Sequence, residues 1–162
     1  ADRERLLGAE HPKTLTARGN LADSYRQAGR TAEAITIEEP LVADMERLLG
    51  AEHPNTLGAW GILAASYWQA GRTEEAIAIE ERVVADRKRL QGAEHPDTLA
   101  ARGNLAASYR QAGRTEEAIN LLERVVADRE RLLDGEHPDT LTARAVLSRW
   151  QSPDNGSDQP SR

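Results

Sequence analysis

Between residues 95 and 133 the apolar positions fall at intervals of three and four. Leu99, Leu105, Ala106 and Tyr109 line one side of a helix, with the stem of Arg102 filling the gap. His95-Pro96-Asp97-Thr98 reads as its start. Proline fits the first turn, where its missing N–H goes unused, and Asp97 complements the helix dipole. Gly113, within Gln-Ala-Gly-Arg, supplies a left-handed stop. A second helix opens at Thr115, with Glu116 and Glu117 at its positive end. Its apolar stripe comprises Ala118, Ile119, Leu122, Val125, Val126, Leu132 and Leu133. About three residues join the two helices, which forces them antiparallel.

The same pattern returns along the chain. His11, His53, His95 and His137 each precede a proline and stand 42 residues apart. Residues 53–94 and 95–136 agree at roughly 30 of 42 positions, a self-similarity typical of stacked repeats. Three repeats are predicted, over 11–52, 53–94 and 95–136. Residues 1–8 read as the tail of a preceding second helix and 137–150 as the first helix of a partial fourth repeat. Residues 151–162, rich in Ser, Pro, Asp, Asn and Gly, read as a disordered tail. Ala1 in place of an initiator Met fits an excerpt of something longer, and the two ends lack polar capping repeats. One hairpin has too little core to stand alone, so neighbours must bury each other's apolar stripes.

Composition supports an elongated helical array. Hydrophobic residues make up 39% and charged ones 30%, with no Phe, one Met, three Trp and three Tyr. The net charge of −6 argues against general nucleic-acid binding, which needs surplus Lys and Arg. No apolar run spans a bilayer, so no membrane role is expected. The lack of cysteine excludes disulfides and thiolate chemistry and suits a cytoplasmic setting.

Leu105-Ala106-Ala107-Ser108-Tyr109, Gln111-Ala112-Gly113-Arg114 and Glu117-Ala118-Ile119 resemble the tetratricopeptide (TPR) signature. The 42-residue period and His-Pro start are similar to the longer variety found in kinesin light chains and many bacterial signalling proteins. The match runs from about Leu6 to Trp150. The resemblance implies an all-α fold, a right-handed superhelical solenoid of antiparallel helix pairs. Three features depart from the pattern. The early tryptophan of the first helix appears only as Trp60, against Arg18, Arg102 and Arg144. Glu38 and Glu80 stand where the third repeat has Leu122; a buried unpaired carboxylate is costly, so both are expected to be partly exposed or paired with arginine. Pro40 falls within a second helix, where a kink or local distortion is expected without loss of the repeat.

The resemblance also implies that first helices line a concave groove that holds a peptide or partner helix. The corresponding positions are Asn20, Asp23, Arg26 and Gln27, then Ile62, Ala65, Trp68 and Gln69. They continue as Asn104, Ala107, Arg110 and Gln111, then Val146 and Arg149. Asn20 and Asn104 match the position that often bonds a peptide backbone in the family. Arg26 and Arg110 about Trp68 suit an acidic segment with an apolar anchor. Gly19, Gly61 and Gly103 recur inside first helices, where each costs about 1 kcal/mol against Ala. Either a ligand's backbone or a neighbouring helix could use the space they leave.

No catalytic chemistry is expected. Equivalent histidines in adjacent repeats should lie about 10 Å apart, one helix-packing distance, too far to share a metal ion. No nucleophile–base set or phosphate loop stands out, and no cofactor is implied. The expected role is a protein-interaction scaffold. The alternative is self-assembly, with exposed repeat ends stacking head to tail into oligomers or filaments.

Overall fold

A computed structural model of the chain describes residue 8 and residues 11–152. The helix tail expected over 1–8 falls, Gly8 apart, outside the described residues, as does the tail from 153 onward. Among the described residues seven helices follow one another: α1 Pro12–Gln27, α2 Thr31–Leu49, α3 Pro54–Gln69, α4 Thr73–Gln91, α5 Pro96–Gln111, α6 Thr115–Leu133 and α7 Pro138–Gln151. No strand occurs among the described residues. The chain divides within α4 into two compact units, residues 1–86 and 87–162.

Each first helix begins the same way. His11, His53, His95 and His137 are N-caps with extended backbone, and proline follows at the first helical position. The imidazole Nδ1 accepts the N–H two residues on, at 3.2, 3.1, 3.2 and 3.2 Å. That satisfies one of the N–H groups a helix start leaves without a partner. Replacing His95 with alanine should therefore destabilise the residue 87–162 unit by about 1 kcal/mol, while asparagine retains the cap. Urea unfolding followed by circular dichroism measures this, and an unchanged midpoint would mean the contact contributes nothing.

The turns between paired helices are also built alike. Gly29, Gly71 and Gly113 have φ of +73°, +75° and +78°. At the third turn Gly113 N–H donates to the Arg110 carbonyl and Arg114 N–H to the Tyr109 carbonyl, at 3.1 and 2.9 Å. This is the doubly bonded left-handed helix stop. Arg114 then bonds Glu117 at 2.8 Å and stacks 4.2 Å from the Tyr109 ring centroid. Arg72 does the same with Glu75 and Tyr67, and Arg30 with Glu33 and Tyr25. The arginine hydrogen bonds hold Glu33, Glu75 and Glu117 below the usual carboxylate range.

In the first unit the core gathers Ile35 and Val42 of α2 with Leu63, Ala64 and Tyr67 of α3 and Ala76 of α4. In the second it gathers Ala106, Leu122, Val125, Val126 and Ala143. The stripe predicted for α6 holds at Ala118, Leu122, Val125 and Val126, but Leu132 is 41% exposed. The last turn of α6 thus runs beyond the packed face.

Charged groups tie first helices to second helices. Arg18 donates to Asp44 and Arg102 to Asp128, each at 2.6 Å. At the equivalent position of the second repeat stands Trp60, and Arg82 lies 5.2 Å from its ring centroid. Pro40 lies inside α2 without ending it, on an exposed face, so the repeat survives.

Candidate functional site

In the unit of residues 1–86, a cavity of about 520 Å³ opens between α1 and α3, with α2 as its floor. From α1 it takes Leu15, Gly19, Asn20, Asp23 and Arg26. Leu41, Val42, Met45 and Glu38 come from α2, and Ala59 and Ile62 from α3. The spacing of the α1 residues puts them on one helical stripe, so a single face of α1 forms the wall. Most of the surface is apolar, with the polar groups concentrated toward the C-terminal half of α1.

Four of the predicted groove positions meet here: Asn20, Asp23, Arg26 and Ile62. Gln27 stands outside the cavity and donates to Asp23 at 2.6 Å. Trp68 is 39% exposed and Gln69 is exposed, but neither lines the cavity. In the unit of residues 87–162, Asn104 and Gln111 are exposed and Arg110 is half-buried. Val146 packs against the core of that unit, so it is less available than a groove position requires.

The arginines are already engaged. Arg26 forms an ion pair with Asp23 three residues before it, and Arg110 donates to the Thr115 hydroxyl at 2.9 Å. Neither therefore presents a bare guanidinium to an anion.

Glu38 departs most from expectation. The sequence predicts it partly exposed or paired with arginine, yet it is 3% exposed and neither carboxylate oxygen has a hydrogen-bond partner among the described residues. Glu80 is buried too, at 9%. The nearby Arg26, which would be the natural partner of Glu38, is paired with Asp23 instead. Burial drives the Glu38 carboxyl above its ordinary range; the Ser66 hydroxyl and the Arg26 charge pull it down but do not prevail. Ser66 is fully buried, and its hydroxyl lacks a partner in bonding geometry. The sequence signal for this site is the break in the apolar stripe at position 38 itself.

The recurring glycines resolve one ambiguity. Among the described residues, a Cβ at Gly61 or Gly103 would meet nothing within 4 Å, and at Gly19 it would meet only the Leu41 side chain at 3.8 Å. No described helix backbone uses the room they leave. At Gly19 that room belongs to the cavity.

Among the described residues, no group of three or more His, Cys, Asp or Glu side chains could hold a metal ion, and no helix is long and apolar enough to cross a membrane.

Two family models described as tetratricopeptide repeat match the chain, one over residues 58–131 and 97–154 and the other over residues 14–55. A crystal structure from Podosopora anserina, described as a putative kinesin light chain with nearly identical TPR-like repeats, is 36% identical to the chain. That match has a TM-score of 0.82 and covers 92% of this chain and 71% of the other. A point-substituted form of that protein matches with 36% identity and a TM-score of 0.83, over 92% and 70% of the two chains. BtubC (BKLC) from P. vanneervenii shares the fold at 19% identity and a TM-score of 0.70, over 92% and 67%. No curated protein matches the sequence. The fold is an all-α helical-repeat solenoid.

Proposed function

The chain belongs to the tetratricopeptide-repeat family, with kinesin-light-chain-like repeats, and from that premise we propose that the cavity between α1 and α3 seats a segment of a protein partner. Repeats of this family generally mediate protein–protein interaction or scaffolding, and the fold is generally non-enzymatic. The observation that carries the reading is the coincidence of Gly19, Asn20, Asp23, Arg26 and Ile62 on one cavity. A side chain of the segment lays its apolar part against Leu15, Leu41 and Ile62, Asn20 bonds the segment's backbone, and Gly19 lets that backbone approach closely.

The acidic segment suggested by Arg26 and Arg110 is not the favoured occupant, because both side chains already have partners. Trp68 and Gln69, outside the cavity, and Gln27 at its edge would contact the flanks of a longer segment. Asn104, Arg110 and Gln111 form the corresponding candidate face of the second unit.

Selection of random peptides displayed on phage tests the reading. Gly19→Leu places a side chain in the cavity while favouring the helix, so it should weaken selected binders about tenfold or more. Fluorescence polarisation measures this. Binders indifferent to Gly19→Leu would put the binding face elsewhere.

The alternative reading is that repeat ends stack head to tail into oligomers or filaments. A chain that stays monomeric in light scattering at high concentration would count against it.

A further inference from the structure

At the position of Glu38 the third repeat buries Leu122 at 5% exposure, while the second repeat buries another carboxylate, Glu80. A carboxyl with two unpartnered oxygens does nothing for the chain itself at such a place. It weakens packing and must either shed its charge or find a donor. Among the described residues no donor stands in bonding geometry to it, and Glu38 lines the cavity.

We infer that the cavity receives a lysine or arginine side chain from a basic segment of a protein partner, with Glu38 as the buried acceptor of its head group. This rests on the groove reading above and names the class of segment that the groove takes.

Three observations converge. Leu15, Leu41, Met45 and Ile62 make an apolar sleeve that suits the methylene stem of a long basic side chain. Arg26, the one positive charge on the lining among the described residues, is neutralised by Asp23, so among those residues Glu38 is the acid left without a counter-ion. The chain as a whole carries a charge of −6, which steers a basic partner toward it and repels an acidic one. Burial favours the neutral carboxyl while the cavity is empty, and an arriving cation restores the charge and gains a charge-assisted hydrogen bond. Both oxygens are shielded from water, so the pair forms as Glu38 turns toward the cavity that it lines.

The test uses the full chain, with random peptides displayed on phage as the probe and circular dichroism to verify each variant's helix content. Selection on the wild-type chain should enrich one Lys or Arg flanked by apolar residues. Exchanging that residue for norleucine should weaken binding about tenfold or more on the wild-type chain and change little on Glu38→Gln or Glu38→Leu. Because the exchange is made in the peptide, a folding defect in a variant cannot imitate the result. Peptides that Gly19→Leu blocks but that show no basic residue, or keep their affinity in Glu38→Gln, overturn the assignment and leave the groove reading intact. Peptides unaffected by Gly19→Leu overturn both.

Discussion

Replacing Glu38 with leucine should raise the stability of the residue 1–86 unit by about 2 kcal/mol at neutral pH. Glu38 is buried with both oxygens unpartnered among the described residues, whereas leucine fills a similar volume with no polar group to desolvate. Leu122 already occupies the equivalent place in the third repeat. The gain should depend on pH in a defined direction. Burial raises the folded-state pKa of Glu38 above the ordinary 4.5, so the folded chain binds a proton more tightly than the unfolded one. The stabilisation that proton confers is fully present below the unfolded value and is lost as pH rises through the folded value. The advantage of the leucine variant should accordingly grow across that interval and level off above it. Urea titrations followed by Trp60 and Trp68 fluorescence, repeated from acid to neutral pH, measure the difference. A constant difference between the two proteins would show that Glu38 does not titrate on unfolding. A stability gain paired with loss of basic-peptide binding would link the weak point of the fold to its use.

The second large effect is expected at Pro40. A proline inside a helix costs about 3 kcal/mol, because it removes one backbone hydrogen bond and its ring crowds the preceding turn. Here the bond removed is the one to the Thr36 carbonyl, four residues back, on the exposed face of α2. Substituting the arginine found at positions 82 and 124 restores that donor. Proline also restricts the unfolded chain, which offsets up to about 1 kcal/mol. The net expectation for Pro40→Arg is a gain of about 2 kcal/mol, read as a higher unfolding midpoint. Slower amide exchange around Thr36 should accompany it. A lower midpoint would mean that the proline ring makes packing contacts worth more than the missing bond.

How much of this could be read in advance varies by position. The helix starts, the glycine turns and the buried faces of α5 and α6 follow from interactions within four or five residues. Leu132 is the exception, an apolar residue in phase with the stripe that stays 41% exposed. For the site, spacing alone places Asn20, Asp23 and Arg26 on the cavity-lining face of α1, because a helical stripe needs nothing more. The expectation for Glu38 fails because its environment depends on which partner Arg26 selects, and Asp23, one turn away, wins by proximity.

The sequence by itself determined the 42-residue period, the histidine–proline helix starts and the pairing of helices, since each rests on short-range backbone chemistry copied from repeat to repeat. Only the tertiary structure decided that a cavity lies between α1 and α3, that no described backbone fills the space at Gly19, and that a carboxyl on the cavity lining is shut in with no donor among the described residues. Those outcomes depend on side chains from three helices meeting across tens of residues, where small differences between near-identical repeats choose among competing contacts.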